Sequence, residues 1–256
     1  MKKLLKNPLF YVMYFIPQLI MTHAVSTFNK TFSNGQTCFA DYYLHFYDWD
    51  SYDFLCMYEV IYVSFFMVML VRRELMSNRV VLYDSTTKLW VNTIKSSALF
   101  TIIFPVMNCV IIGIVAAMKN AVFTCNWSKT GSMAAAIIPY YELHEINTFI
   151  VAGLSVFLDI IRLQVTLFIV CIARKTIVVF LIVYINIIIV NIQPLLAYCD
   201  MNVKSIYNYM IVSKMGTYLK GISVFDNVVL PVIIWAVCVA VSYLTFRFYR
   251  KDMLKN

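Results

Sequence analysis

The sequence predicts an all-α polytopic membrane protein with six transmembrane helices. Of its 256 residues, 62% are hydrophobic and only 13% are charged, and the mean hydropathy is +0.77. Soluble globular chains are about 45–50% apolar and about 25% charged, so most of this chain is suited to lipid rather than water. The apolar runs are continuous and lack the alternation that the strands of a membrane barrel require, which favours helices.

Six uncharged windows are long enough to cross the hydrocarbon layer, which takes about 20 residues of helix. The apolar run after the basic "MKKLLK" can itself span, so we expect a first span there rather than a cleaved signal peptide. The segment "MKKLLKNPLFY" predicts a short amphipathic helix at the inner interface. The spans, within one transmembrane domain over residues 1–256, are placed at residues 8–27, 54–71, 97–118, 149–173, 176–198 and 227–247.

The distribution of basic residues predicts the orientation of the spans. Most Lys and Arg residues fall at the two termini, between spans two and three, and between spans four and five. Basic residues close to span ends are retained in the cytoplasm. We therefore expect a multi-pass protein of the cell membrane with both termini cytoplasmic. The net charge of +8 then reflects this orientation, and nucleic acid is not expected as a partner.

Motifs of soluble catalysis are missing from the sequence. There is no GxxxxGK[ST] motif to hold nucleotide phosphates, and "ELHEI" lacks the HExxH spacing of a zinc site. We therefore predict that the chain is not an enzyme. Catalytic residues, a metal site and a cofactor bound by this chain are not expected.

Three charged residues lie inside the predicted spans and away from the span ends. Asp159 and Arg162 are three residues apart in the fourth span, hence on one helical face, and Glu59 lies toward the outer part of the second span. An unpaired charge near the bilayer centre costs about 2.5–3.5 kcal/mol on insertion scales. Asp159 and Arg162 are therefore expected to neutralise each other. They either hold the bundle together or mark a polar point on a substrate path or at a subunit interface.

Two outer segments have unusual compositions. The segment "CFADYYLHFYDWDSYDF" (38–54) mixes aromatic rings with Asp41, Asp48, Trp49 and Asp50, which fits either an aromatic belt or a mouth that attracts cationic amphipathic molecules. A disulfide between Cys38 and Cys125 is one pairing that the outer cysteines allow. Residues 201–227 predict short helices that dip into the outer leaflet, with breaks at Gly216 and Gly221.

The cytoplasmic strip "RRELMSNRVVLYDSTTKLWVNTIK" (72–95) joins spans two and three. A plain turn between helices needs only about 2–8 residues. In this strip the apolar "VVLY" is flanked by charges, and Asp84 or Ser85 can cap a short helix. A surface helix with an exposed apolar patch is suited to docking a soluble partner.

With this strip and six spans, the chain resembles the permease subunit of ABC transporters of the type-2 exporter class. Family members often carry, in the same loop, basic and acidic residues, a hydrophobic stretch, an S-x-x-R/K-x-x-W-like motif and a lysine before span three. The matching positions here are Arg73, Glu74, "VVLY", Ser85, Lys88, Trp90 and Lys95. The resemblance implies a coupling helix between spans two and three and short re-entrant helices between spans five and six.

The resemblance also implies partners and a function. A separate P-loop ATPase would bind ATP and Mg, and a second permease copy or a paralogue would complete the transport path. The expected cargo is a hydrophobic or amphipathic peptide, exported or cleared as in bacteriocin immunity; a stand-alone six-span channel or receptor is the alternative. Direct contact with the ATPase is expected for Glu74, Arg79, Tyr83 and Lys88. The full set of expected coupling residues is Arg73, Glu74, Arg79, Tyr83, Ser85, Lys88 and Trp90.

Overall fold

A computed structural model describes residues 8–28, 35–47, 49–75, 80–173, 175–199, 204–212 and 214–253. Within these ranges the chain is helical, and the β-type pairing consists of two isolated bridges, Gln36 with Ser132 and Cys38 with Val122. The predicted all-α class is confirmed. The helices are α1 Pro8–Phe28, α2 Phe39–Tyr47, α3 Trp49–Glu74, α4 Thr86–Ala98, α5 Phe100–Met118, α6 Met133–Ile137, α7 Thr148–Ile172, α8 Thr176–Tyr198, a 3₁₀ helix Ile206–Met210, α9 Lys214–Lys220, a π-helical turn Phe225–Val229 and α10 Leu230–Met253.

Four helical stretches of the described chain are long and apolar enough to cross a membrane. They are α1, the stretch Thr86–Met118 that contains α4 and α5, α7, and Phe225–Phe248. The other two predicted spans are also helical, as α3 and α8, but the apolar part recognised in α8, Thr176–Val190, is shorter. Six spans therefore stay a prediction. The predicted amphipathic N-terminal helix depends on residues 1–7, which lie outside the described residues.

Helix α1 buries its polar side and exposes its apolar side. A helix on the surface of a soluble protein does the opposite, because water drives its apolar stripe into the core. In lipid, polar side chains are buried between helices, since hydrocarbon cannot satisfy them. The buried stripe of α1 is Phe10, Tyr14, Gln18, Thr22 and Ser26, and its exposed stripe is Leu9, Val12, Met13, Ile16 and Ile20.

The chain divides into two compact units. The first comprises Met1–Tyr58, Pro105–Leu158 and Ile211–Asn227, and the second comprises Glu59–Phe104, Asp159–Met210 and Val228–Asn256. Three of the boundaries fall inside α3, α5 and α7. The prediction of a single transmembrane domain is not tested by this division.

Helix α4 is the short capped helix that the sequence predicts in the strip. Ser85 caps it, because its side chain accepts a hydrogen bond from the Lys88 amide at 3.2 Å. Helix α5 then begins at Phe100, close to the expected start of the third span at residue 97. The second half of the strip is therefore helical, and its buried face packs in the second unit. That buried face is Leu89, Thr93 and Ser97.

The segment between α8 and α10 contains the short helices that its composition predicts. Gly221, with φ +74°, directly follows α9 and is the predicted break. Gly216 does not break the chain, because it lies inside α9. A glycine within a helix costs only about 0.5–1 kcal/mol relative to alanine, and the neighbouring Thr217 and Tyr218 are buried and anchor the turn. That these helices dip into a membrane stays a prediction.

Candidate functional site

The strongest candidate site is a buried cluster of three ionisable side chains in the second unit. Glu59 is contributed by α3, and Asp159 and Arg162 by α7; their exposed fractions are 0%, 1% and 1%. One guanidinium nitrogen, Arg162 Nη2, donates to Glu59 Oε2 at 2.6 Å and also to Asp159 Oδ1. We call these three residues the charge cluster.

The sequence pointed to the pairing of Asp159 with Arg162 but missed the third member. Their spacing of three residues on one helix puts both on the same face, and the structure joins them by an ion pair. Glu59 was singled out only for its own position in the second span. Its partnership with Arg162 depends on the packing of α3 against α7 within the second unit, which no spacing in the sequence encodes.

A chain of hydrogen bonds extends from the charge cluster to the 3₁₀ helix. Thr166 Oγ1 donates to the Arg162 carbonyl at 2.9 Å and shares a 2.9 Å hydrogen bond with the Tyr207 hydroxyl. The Ser205 hydroxyl accepts from the Tyr207 amide at 3.1 Å and donates to Asn186 Oδ1 at 2.8 Å. Polar groups of α7, α8 and the 3₁₀ helix are thereby linked, which gives several buried polar atoms a hydrogen-bond partner.

A second buried carboxylate, Asp41, lies in the first unit and is fully enclosed. It accepts from the Cys38 amide at 2.7 Å, from Trp127 Nε1 at 2.8 Å and from the Tyr218 hydroxyl at 3.2 Å. Burial raises the pKa of the Asp41 carboxyl, and these hydrogen bonds offset only part of that effect. We call this group the Asp41 site.

Asp41 is enclosed within the outer segment that the sequence assigns either to an aromatic belt or to a mouth for cations. Its carboxylate faces neighbouring donors and not solvent. The physical reason is that α2 is buried on nearly every side, so its aromatic residues form core. The other predicted mouth residues are not tested, because Asp48 and the side chains of Trp49 and Asp50 lie outside the described residues.

Two thiols meet close to the Asp41 site. Cys38 is buried and Cys125 is half-buried, and both are free rather than joined in the disulfide that the sequence allows. The Cys38 thiol donates to the sulfur of Cys125, which lowers the pKa of Cys125 to about 7. Cys125 also borders a cleft of about 360 Å³, whose other lining residues include Phe123, Thr124, Glu145, Asn147 and Phe149.

The predicted coupling residues separate into internal and exposed groups. Glu74 is buried and accepts from the Tyr83 hydroxyl at 2.9 Å. Trp90 Nε1 donates to Ser242 Oγ of α10 at 3.1 Å, and Ser85 caps α4. Arg73 and Lys88 are exposed, whereas Arg79 lies outside the described residues.

An exposed apolar pair lies inside the same strip. Val81 is 68% and Leu82 is 76% exposed, directly before the ion pair of Asp84 with Lys88, whose atoms are 2.8 Å apart. We call Val81, Leu82, Asp84 and Lys88 the strip patch. The sequence predicted an exposed apolar surface at the charge-flanked "VVLY". In the structure the two central residues of this stretch, Val81 and Leu82, are exposed.

No protein-family model matches this chain, and no curated protein or solved structure is significantly similar to it. The function is therefore inferred from the residues and their geometry. In the described part of the chain, no group of three or more His, Cys, Asp or Glu side chains is placed to hold a metal ion.

Proposed function

We propose that this chain is the transmembrane permease subunit of an ATP-driven transporter of the ABC type-2 exporter class. In this proposal six helices cross the cell membrane, with both termini in the cytoplasm. ATP and Mg bind to a separate P-loop ATPase, and a second permease copy or a paralogue supplies the other half of the path. The cargo is a hydrophobic or amphipathic peptide that is exported or cleared.

The strip patch is the observation that carries this proposal. Two large apolar side chains are exposed beside an ion pair, at a position between two long helices where a short turn would suffice. Apolar side chains rimmed by charges are typical of a surface that binds a protein partner. In the proposed orientation the patch is cytoplasmic, where a soluble ATPase can reach it.

The contacts on either side of the strip patch support a coupling role. Glu74 connects the end of α3 to Tyr83, which lies between Leu82 and Asp84 of the patch, and Trp90 connects α4 to α10. A partner that pushes on Leu82 would therefore move helices rather than a loose loop. Transmission of rigid-body motion needs such fixed connections between the contact surface and the spans.

The cleft beside Cys125 supports the proposed class of cargo. It offers the aromatic rings of Phe123 and Phe149 together with the carboxylate of Glu145, which accepts from the Ser128 amide at 3.0 Å. Aromatic faces and a carboxylate attract cationic amphipathic molecules. A peptide with basic and apolar side chains fits that chemistry better than a sugar or a small anion.

The test is co-purification of an ATPase from cells that express the chain with its neighbouring genes. We expect a P-loop ATPase to be retained by the wild-type protein and lost in Leu82→Asp and in Lys88→Glu. Lys129→Glu is the matched control, because Lys129 is exposed but lies far along the chain, in a segment proposed to be external. It should retain the ATPase.

The opposite results would overturn the proposal. If the folded wild-type protein retains no ATPase, the permease assignment fails. Ion conduction by the purified chain alone in planar bilayers would then favour the stand-alone channel. Equal retention by Leu82→Asp, Lys88→Glu and Lys129→Glu would show that an ATPase binds elsewhere and that the strip patch is not the coupling surface.

A further inference from the structure

Two segments of the first unit run side by side at the cleft, and each carries one cysteine. Cys38 forms a parallel bridge with Val122, which lies shortly before Cys125 in the chain. Directly after Cys125, the side-chain amide of Asn126 donates to the Gln36 carbonyl at 3.2 Å. The chain on both sides of Cys125 is therefore held against the segment that contains Cys38.

Side-chain contacts fix the same arrangement. The rings of Phe39 and Phe123 meet edge to face, with centres 5.4 Å apart. The indole of Trp127 donates to Asp41 at 2.8 Å, and Asp41 also accepts from the Cys38 amide at 2.7 Å. The residues next to each cysteine thus contact the residues next to the other, which leaves the two sulfurs facing each other.

The two thiols differ in exposure. Cys38 is buried, whereas Cys125 is half-buried and borders the cleft of about 360 Å³. A small reagent that enters the cleft can therefore reach Cys125 but not Cys38. The hydrogen bond from Cys38 lowers the pKa of Cys125 to about 7, so that part of it is thiolate at neutral pH. An accessible thiolate beside a second, enclosed thiol is the arrangement of redox-sensitive cysteine pairs.

We propose that Cys38 and Cys125 are a redox-active pair that closes into a disulfide when a small external disulfide enters the cleft. The inference does not rest on ATP-driven transport, and it would hold for a channel or receptor as well. In the predicted orientation both cysteines lie outside the cell membrane, where disulfides form and persist.

The exchange has two steps. The Cys125 thiolate attacks one sulfur of the external disulfide, forms a mixed disulfide and expels the other half as a thiolate. The Cys38 thiol then gives up its proton, and its sulfur attacks the Cys125 sulfur and expels the second half. In total the protein loses two electrons and two protons, and the external disulfide is reduced to two thiols. An excess of a small thiol reverses both steps.

The bond would connect the cleft to the Asp41 site. Cys125 lines the cleft, and the amide of Cys38 is one of the donors to Asp41. Oxidation would remove the thiolate from the cleft and would close a long loop of the unfolded chain, which favours the folded state. The redox state of the pair therefore sets both the chemistry of the cleft and the stability of the protein.

Peptide mapping tests the bond directly. The purified protein in lipid nanodiscs is reduced, exposed to oxidised glutathione at neutral pH, blocked with iodoacetamide and digested without reduction. A protease that cleaves after aromatic residues separates Cys38 from Cys56, because Phe39 and Phe54 lie between them. We expect the peptides of Cys38 and Cys125 to be linked, to weigh two hydrogen atoms less than the separate peptides, and to come apart with dithiothreitol.

Three variants define the order of the steps. Cys38→Ser should stop at the mixed disulfide, with glutathione retained on Cys125. Cys125→Ser should leave Cys38 unmodified, because Cys38 is buried. Cys199→Ser is the matched control, since Cys199 is exposed but lies in the second unit, and it should form the link as the wild type does.

Three wild-type results would overturn the proposal. They are glutathione on Cys125 without a link to Cys38, a link from Cys125 to another cysteine, and no reaction of Cys125 at all. The wild-type map decides the question even where a variant fails to fold.

Thermal unfolding gives a second readout. The oxidised wild-type protein should unfold several degrees above the reduced protein, because the closed loop has less freedom when unfolded. Oxidised and reduced Cys125→Ser should unfold at the same temperature. A linked wild-type protein that unfolds at or below the temperature of the reduced form would contradict a bond that fits the fold.

Discussion

The Asp41 site and the charge cluster both stabilise enclosed carboxyl groups, but with different partners. Both enclose carboxyl groups completely. The carboxylate of Asp41 is surrounded by neutral donors, an amide, an indole and a hydroxyl. The carboxyls of Glu59 and Asp159 are instead held by a full positive charge.

The number of partners determines how the stability of each site responds when one partner is substituted. Two donors of Asp41 are the side chains of Trp127 and Tyr218, so each can be removed while the other and the Cys38 amide remain. The charge cluster has one guanidinium between two acids, and its removal breaks both ion pairs at once. The Asp41 site should therefore lose stability in steps as its donors are substituted one by one. The charge cluster should lose most of its stabilising interactions when Arg162 alone is substituted.

Arg162→Gln should have the largest effect on stability. Removing one partner of a buried ion pair costs about 3–5 kcal/mol, because the remaining charge stays enclosed. We expect a loss of monodisperse protein in detergent and a strongly lowered unfolding temperature. Arg73→Gln is the control, since Arg73 is exposed on α3. Equal behaviour of the two variants would show that the cluster is not held by its guanidinium.

Trp127→Phe should have the next largest effect. It removes the 2.8 Å indole donor to Asp41 and changes the edge-to-face packing on Tyr218, whose ring centre is 4.8 Å away. A hydrogen bond to a charged group contributes about 1.5–3 kcal/mol, against about 0.5–1.5 kcal/mol for a neutral one. Chemical or thermal unfolding of the purified protein measures the loss.

Trp235→Phe is the matched comparison for Trp127→Phe. The indole of Trp235 donates to Gln164 Oε1 at 2.5 Å, which is a neutral acceptor. We therefore expect a smaller loss of stability there. A larger loss in Trp235→Phe would mean that the charge of Asp41 does not strengthen its site.

Some features of the two sites can be predicted from the sequence because they depend on neighbouring residues, whereas others depend on packing between distant residues. Helices follow from continuous apolar runs, and the Asp159–Arg162 pair follows from helical spacing, because both depend on neighbouring residues. Glu59 joins that pair only through packing between helices. Asp41 looked like a surface residue because aromatic and acidic side chains alternate around it, and nothing local reveals that Trp127 and Tyr218 enclose it. The start of α4 could be predicted because its cap, Ser85, is also a local signal.

Asp41→Asn should change the pH dependence of stability. Burial raises the pKa of Asp41, so its contribution is greatest below the ordinary value and is lost as the pH rises through the folded value. The asparagine variant cannot titrate at this position. Its stability relative to wild type should therefore improve as the pH rises above about 4, the ordinary pKa of an aspartic acid, in thermal unfolding. If the wild-type protein instead becomes more stable relative to the variant as the pH rises, the expected direction is wrong.

The smallest effect on stability, and the most local, is expected at Cys125. The thiol donor of Cys38 lowers the pKa of Cys125 to about 7, and the cleft beside it admits small reagents. Alkylation of Cys125 by iodoacetamide, followed at its own peptide by mass spectrometry, should rise with a midpoint near that pH, since the thiolate is the nucleophile. In Cys38→Ala the midpoint should move up toward about 8.5, the value of an unperturbed thiol. An unchanged midpoint would mean that Cys38 does not stabilise the thiolate. A shifted midpoint would show that a neutral donor, acting beside the backbone groups of Ile146 and Trp127, stabilises an anion in the first unit without the counter-charge that the cluster has.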